Sequence, residues 1–452
     1  MKLSEIDATL REIRVSPVKT LGQNFLHDRN LARWIVEKGA LTSEDYVIEI
    51  GPGLGALTEF ILESGARVLA IEKDQRLADF LRTRFKSERF EVLHADALDY
   101  DLRRLFAKPS VKLLGNLPYY ISSQLLLKFT KYPSPINLSL LMLQKEMARR
   151  ISATPGSSDY GALTLTVQLH YRVEYLRTVP ATVFLPEPDV HSAFVRIVPR
   201  AAGELPPHDP SAFFRMVRLG FSQRRKQLRN LLREEVPEWE EASAAIGFDP
   251  RARAEELSLE QWIALSKLRA SKAISSEAAT ASERFPVVDE NDQLQGDAPR
   301  DKVHGNNLRH RAVHILIFNS LGELFLQKRS RWKDRHPLLW DSSAAGHVEA
   351  GEEYDETAVR ELNEELGVTT EPTRVAKLPA SERTGHEFIW LYRAQHDGPF
   401  TLAPIEIEHG EFFPTDVVSE WVKARPADFA PGFLECWKAF RAEDVEALVP
   451  SA

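Results

Sequence analysis

The chain predicts an α/β fold with a mostly parallel sheet, a helical segment after it, and then a second α/β fold. Three observations point there: apolar, β-branched runs that alternate with amphipathic stretches, a glycine-rich turn after the first strong run, and an acidic helical run set between strand-like segments of the second half.

The elements follow in order. YVIEI (46–50), RVLAI (67–71), FEVLH (90–94), VKLLG (111–115) and NLSLLML (137–143) read as strands joined by helices, the βαβ pattern of a parallel sheet. YRVEYLRTV and SAFVRIVP read as two antiparallel strands that follow it. After the break PRAAGELPPHDP, which starts at Pro199, a helical block runs to about residue 270. SKAISSEAATASE, from Ser271, is rich in Ala, Ser and Glu without apolar periodicity and reads as a linker. Beyond it AVHILIFN, ELFLQKR and EFIWLYRAQ supply strands around the acidic helix. The expected domains are 1–200, 201–270 and 285–452, with the linker at 271–284.

Composition narrows the class. At 452 residues the chain exceeds one ordinary domain. It is 43% hydrophobic and 27% charged, and no apolar run approaches the ~20 residues of a membrane span, so no membrane partner is expected. The opening MKLSEIDATLREIRV mixes acids with bases and has no apolar core, which predicts no secretory signal and a cytoplasmic location. A single cysteine, Cys436, excludes an internal disulfide and a cysteine-built zinc site. The net charge of −8 is uneven: residues 1–270 hold 38 Lys+Arg against 34 Asp+Glu (+4), which leaves 20 against 32 (−12) for the remainder. Two halves with different partners fit that division.

In the first half the turn EIGPGLG, Glu49 to Gly55, joins a strand to a helix, where glycines let a cofactor approach the backbone. Glu72, at the end of the next strand, can accept hydrogen bonds from ribose hydroxyls, and Asp96 after the third can accept from an adenine amino group. GNLPYY, Gly115 to Tyr120, ends the fourth strand. There the Asn116 carbonyl and a backbone carbonyl fixed by the Leu117-Pro118 peptide can both accept from one exocyclic amine, while Tyr119 stacks on its base. Two such acceptors would aim the nitrogen lone pair at a methyl donor without a strong base.

These motifs, with GQNFL (22–26), LQKE (143–146), FLPEPDVHSA (184–193) and FSQRRKQLRN (221–230), resemble the small-subunit rRNA adenine N6,N6-dimethyltransferases of the KsgA type over roughly residues 10–270. The resemblance implies a class I, Rossmann-like methyltransferase with a small helical domain that binds rRNA, and S-adenosylmethionine as methyl donor. It implies cofactor contacts from Gln23, Asn24, Leu26, Gly51, Gly53, Glu72, Asp96 and Asn116. It also implies that Phe184 packs the target base against Tyr119. The expected substrate is two adjacent adenosines near the 3′ end of 16S rRNA in the assembling small subunit. Erythromycin-resistance methyltransferases share this core and act on large-subunit rRNA; the Leu of NLPY and the FLPEPDVHSA segment favour the small-subunit enzymes. Arg224, Arg225, Lys226 and Arg229 on one predicted helix, with Arg149 and Arg150, are the expected phosphate contacts.

In the second half GHVEAGEEYDETAVRELNEELGV, from Gly346, places Glu361, Glu364 and Glu365 at i, i+3 and i+4, one face of a helix. Three adjacent carboxylates repel one another, and a hard divalent cation such as Mg2+ or Mn2+ relieves the repulsion. Glu352 and Arg360 are placed to pair and orient the helix against its loop. This stretch matches the Nudix pattern G-x5-E-x7-R-E-U-x-E-E-x-G-U throughout, with Leu362 and Val368 as the apolar positions, and so resembles the Nudix hydrolases. The resemblance implies an α/β/α domain with a mixed sheet and metal-dependent cleavage of a small diphosphate substrate. Glu408 and Glu411 are candidate general bases. The segment from Phe285 to Ser330 also looks like the start of isopentenyl-diphosphate isomerases, but where those use a cysteine this chain has Ser342 and Ser343 in LWDSSAAGHV. A Nudix domain that only binds its ligand, and a non-catalytic ribosome-assembly or transcription factor built on the methyltransferase fold, are the remaining alternatives.

Overall fold

The computed structural model describes residues 3–17, 23–201, 203–206, 208–268, 283–333 and 335–447. The chain divides into two compact units, Met1–Arg269 and Ala270–Ala452. Nearly all of the segment read as a linker, and Gly22 of GQNFL, lie outside the described residues.

The first unit is built on a seven-stranded sheet. Strand β1 (Phe25–Leu26) lies apart from it and pairs with β8 (Phe184–Leu185). The large sheet comprises β2 (Tyr46–Ile50), β3 (Arg67–Glu72), β4 (Phe90–His94), β5 (Val111–Asn116), β6 (Ile136–Gln144), β7 (Tyr171–Val179) and β9 (Ser192–Pro199). Its order is β4-β3-β2-β5-β6-β9-β7: the first five run parallel, and β9 and β7 add antiparallel pairs. β2 and β5 lie side by side at the centre, so the turn after β2 and the GNLPYY turn after β5 emerge at the same carboxyl edge, where ligands bind in open parallel sheets. One apolar core covers each face, Ile35, Phe60 and Phe194 on one side and Leu113, Leu141 and Val195 on the other. A separate helical core gathers around Trp262, Phe213 and Leu228.

Here the structure corrects one expectation: the basic run does not lie on a single helix. The helix Pro210–Gly220 stops at Phe221, residues 221–227 form turns, and a short helix, Leu228–Leu231, follows. The cause is packing. Phe221 stacks on Trp262 at 5.7 Å and Leu228 must enter the same core, so the chain turns between them. The bond from Leu228 N to Ala252 O (3.0 Å) fixes the new direction.

The second unit opens with a hairpin of β10 (Arg284–Val288) and β11 (Leu294–Pro299). Its main sheet holds β12 (His310–Phe318), β13 (Leu324–Arg329), β14 (Trp340–Asp341), β15 (Ala344–His347), β16 (Thr373–Leu378), β17 (Glu387–Gln395) and β18 (Ile407–Phe413). The order is β14-β13-β12-β17-β16, with β15 also on β12 and β18 on β13. Only the β12–β17 pair is parallel, so the sheet is mixed. The acidic run forms the helix Tyr354–Leu366, whose apolar face (Ala358, Leu362, Leu366) packs on Val313, Ile315 and Ala344. Gly367 ends it in the left-handed conformation (φ 67°) that glycine adopts without strain. Among the described residues no helix is long and apolar enough to cross a membrane.

Candidate functional site

In the first unit one cavity sits at the carboxyl edge of the sheet. Gln23, Asn24, Gly51, Gly53, Glu72, Asp96, Asn116 and Pro118 line it together. The turn after β2 bends through Gly51 (φ 62°) and Gly53 (φ 59°), conformations that side chains disfavour. Glu72 clasps that turn: its carboxylate accepts from Gly53 N at 3.2 Å and from Asp74 N at 3.0 Å. Burial pushes the Glu72 pKa up. Asp96 accepts from Leu98 N (2.9 Å) and from Lys73 Nζ (2.6 Å), and the lysine holds its pKa down. Asn116 Nδ2 donates to Asn24 O at 3.1 Å.

Two expected side chains, Leu26 and Phe184, are placed differently. Leu26 is buried in the core and does not line the cavity; on a two-residue strand neighbours point to opposite sides, and Phe25 takes the cavity side. Phe184 pairs with Leu26 across β1 and β8 and is 1% exposed, so its ring is core and is not presented to a base. Leu117 is likewise buried in the core. The Tyr119 hydroxyl bonds to Ser192 Oγ, and burial pushes its pKa up. Lys73, against Asp96, escaped the sequence reading because a lysine beside an acid is ordinary on a surface. Glu49 escaped it too: it is wholly buried, donated to by Thr58 Oγ1 at 2.6 Å, and burial raises its pKa to about 7.

The basic residues Arg224, Arg225, Lys226 and Arg229 are exposed, as are Arg149 and Arg150. One loop joins the two groups. Arg224 Nη2 donates to Ser158 O at 2.7 Å, and Arg149 lies 3.7 Å from the neighbouring Asp159 carboxylate. Arg150 pairs with Glu146.

In the second unit a cavity of about 560 Å³ is lined by Glu361, Glu364 and Glu365 together. Arg360 organises them: Nε and Nη2 donate to Glu352 at 2.8 and 3.1 Å, and Nη1 reaches Glu361 at 2.8 Å and Glu364 at 2.9 Å. The same guanidinium holds the loop through His347 O (3.1 Å), so the helix is tied to the strand before it. Glu365 accepts from Ala345 N at 3.1 Å and Gln327 Nε2 at 3.3 Å. Burial raises the pKa of Glu361 and of Glu365, and for Glu361 the Glu365 charge adds to it. Two buried carboxylates whose ionisation is opposed in this way are suited to a cation, which would supply the missing charge. Glu364 keeps its side chain 60% exposed, open to the cavity.

Glu408 is ion-paired with Arg331, and neither it nor Glu411 lines this cavity; Glu406 does, paired with Lys333. Ser342 Oγ is bonded to His314 Nδ1 (2.8 Å), and Ser343 Oγ donates to Phe325 O and accepts from Ile317 N (2.7 Å). Cys436 is buried and absent from the cavity wall. The wall also carries His304, His310's neighbours Phe285 and His347, and Glu387. His347 Nε2 and His310 Nε2 lie 3.2 and 3.4 Å from Glu387 Oε1. Burial lowers the His347 pKa to about 3; burial opposes the Glu387 charge, but hydrogen bonds from His310 and His347 hold its pKa well below the ordinary range. These residues are scattered over more than eighty positions without a motif, which hid them from sequence reading.

Comparison with known proteins separates the two units. A family model described as ribosomal RNA adenine dimethylase matches residues 17–271, and one described as NUDIX domain matches residues 308–433. A ribosomal RNA small subunit methyltransferase A of Halothermothrix orenii is 40% identical over 269 residues, 57% of this chain and 89% of its own length. The protein of that name from Chlorobium phaeobacteroides is 42% identical over 265 residues, 59% of this chain and 97% of its own. The crystal structure of the 23S rRNA methyltransferase ErmE is 29% identical, covering 54% of this chain and 99% of its own, with a TM-score of 0.46.

Proposed function

The chain belongs to the ribosomal RNA adenine dimethylase family and carries a NUDIX domain after it, and from that premise we propose that the first unit dimethylates N6 of two adjacent adenosines near the 3′ end of 16S rRNA in the assembling small subunit. The observation behind the proposal is the meeting of Asn116 with Glu72 and Asp96 around one cavity. S-adenosylmethionine supplies an electrophilic methyl group when bound. Glu72 would take its ribose hydroxyls and Asp96 its adenine amine, while Gly51 and Gly53 leave the backbone open to it. The Asn116 carbonyl and the Leu117 carbonyl ahead of Pro118 would accept from the target amine and hold its lone pair in line, with Tyr119 against the base. Arg224, Arg225, Lys226 and Arg229, joined by Arg149 through the loop at Ser158 and Asp159, would neutralise phosphates. The test is methyl transfer to unmethylated small subunits, with the modified bases mapped by primer extension. Modification of two adjacent adenosines near the 3′ end supports the reading; label found only in large-subunit rRNA overturns it.

For the second unit the proposal is hydrolysis of a small diphosphate compound with Mg2+ or Mn2+ held by Glu361, Glu364 and Glu365. It rests on the three carboxylates opening into one cavity under the hold of Arg360. The cation neutralises diphosphate charge and acidifies an attacking water when bound. Lys333 and Arg329, also on the wall, would face the phosphate oxygens. Incubation with nucleoside triphosphates, dinucleotides, nucleotide sugars, capped RNA ends and isopentenyl diphosphate, following phosphate release and allylic isomer, tests this. Turnover of none of them would make the domain a binding module. Allylic isomerisation is disfavoured because the wall offers no cysteine: Ser342 and Ser343, which stand at that place, are bonded to His314 and to the Phe325 carbonyl, and Cys436 is buried away from the wall.

A further inference from the structure

We propose that the start of the last helix, Pro431–Ala447, and the His314 imidazole form an oxyanion subsite in the cavity of the second unit, which takes a carboxylate or phosphate group of the ligand. The inference does not depend on diphosphate hydrolysis and draws on none of Glu361, Glu364 and Glu365.

The helix begins without a side-chain cap. Ala430 stands before Pro431 and has no polar side-chain atom to offer, and the first turn carries no acidic residue. The first amides of any helix lack partners within it. Here Ala430 N donates to Trp340 O (2.8 Å), Pro431 has no N–H, and Leu434 N already reaches Ala430 O (3.3 Å). Gly432 N and Phe433 N are left without an acceptor among the described residues. The peptide dipoles of 17 residues align behind them, so the positive end of the helix lies on this turn.

His314 adds a side-chain donor at the same place. Strand alternation sets its direction: Val313 and Ile315 enter the core under the acidic helix, so His314 faces the other side of the sheet, where it lines the cavity with Ala430, Pro431 and Gly432. It is 6% exposed. Ser342 is wholly buried, and its hydroxyl has one partner among the described residues, His314 Nδ1 at 2.8 Å. A buried hydroxyl proton needs an acceptor, so Ser342 donates and the ring proton sits on Nε2. Asp341 does not compete for Nδ1: its Oδ1 lies 3.7 Å away and accepts from Ser342 N (2.8 Å), while its Oδ2 is paired with Arg329 Nη1 (2.7 Å).

Gly432 marks where the ring points. A Cβ built there would stand 3.3 Å from both Nε2 and Cε1 of His314. In a helix the Cα–Cβ bond leans toward the N-terminus, the same way that the unbonded amides point. The bare Cα therefore leaves open, in front of Nε2, a space that the Gly432 and Phe433 amides also face.

These three groups donate and none accepts. A neutral hydroxyl in that space would bring a proton with nowhere to go and would gain little from the helix dipole. A carboxylate or phosphate oxygen accepts from all of them and carries the charge that the helix end favours.

The test is calorimetric titration of the full chain, freed of divalent cations, with inorganic phosphate and separately with acetate. Saturable binding of phosphate assigns the subsite to a phosphate group, and of acetate alone to a carboxylate. His314→Leu removes the imidazole donor, and Gly432→Pro removes one amide at a helix position that tolerates proline. Each should weaken the bound anion by about 10-fold, the order of one lost hydrogen bond to a charged group. Should neither variant fold, wild-type crystals grown with phosphate or acetate still decide, since the anion should lie within about 3 Å of His314 Nε2. Binding of neither anion, unchanged affinity in a folded variant, or an anion found only against Lys333 and Arg329 overturns the proposal.

Discussion

Gly346 and Glu361 compete for one volume: a Cβ built on Gly346 would stand 2.0 Å from the Glu361 carboxyl carbon. The strand before the acidic helix therefore has to be bare at that point. Gly346→Ala should push Glu361 off the cavity wall, cost about 1–3 kcal/mol of stability in the second unit as an overpacked site does, and remove diphosphate hydrolysis. Chemical denaturation and phosphate release measure the two effects. A variant that hydrolyses at the wild-type rate would show that Glu361 is not needed at its observed place.

Glu364 is the most exposed of the three carboxylates, so Glu364→Gln should leave the fold intact. Metal-dependent hydrolysis is expected to disappear and methyl transfer to continue unchanged. Assays of both activities on one preparation check this, and a parallel loss of both would mean that the two units act on each other.

Asn116→Ala removes an acceptor without touching the basic surface around Arg224. Methyl transfer should fall by about 10²–10³-fold, the usual effect of losing one positioned hydrogen-bonding group, with binding to the small subunit retained. Methylation at the wild-type rate would remove Asn116 from the amine-holding role.

Glu49 gives the first unit a pH dependence with a definite sign. Its folded pKa is raised from 4.5 to about 7 by burial, so between those values the folded state binds a proton that the unfolded state has released. The stabilisation is fully present below pH 4.5 and is lost as pH rises through 7, about 3 kcal/mol at 1.36 kcal/mol per unit. Unfolding of the first unit at pH 5 and pH 8 should show the decline, and Glu49→Gln should flatten it. An unchanged slope in the variant would assign the dependence to another group.

Most strands were legible because β-branched runs of five to nine residues have few alternatives, as YVIEI and EFIWLYRAQ show. The Nudix carboxylates were legible because i, i+3 and i+4 spacing is a local property of a helix. The basic run misled for the opposite reason: its turn is imposed by Trp262, some forty residues away, which pulls Phe221 and Leu228 into one core. Leu26 misled because a two-residue strand gives no periodicity to assign a face. His310 and Glu387 become neighbours only through the parallel pairing of β12 and β17, which no local pattern announces.

Glu72 holds Gly53 and Asp74 through its own carboxylate. The glycine-rich turn is therefore held by a side chain of the protein's own. Its backbone entropy has been spent during folding, and a nucleoside that arrives need only replace hydrogen bonds. Calorimetry should accordingly find a heat capacity change no larger than the buried apolar surface of the ligand requires, with no contribution from a coil becoming a loop.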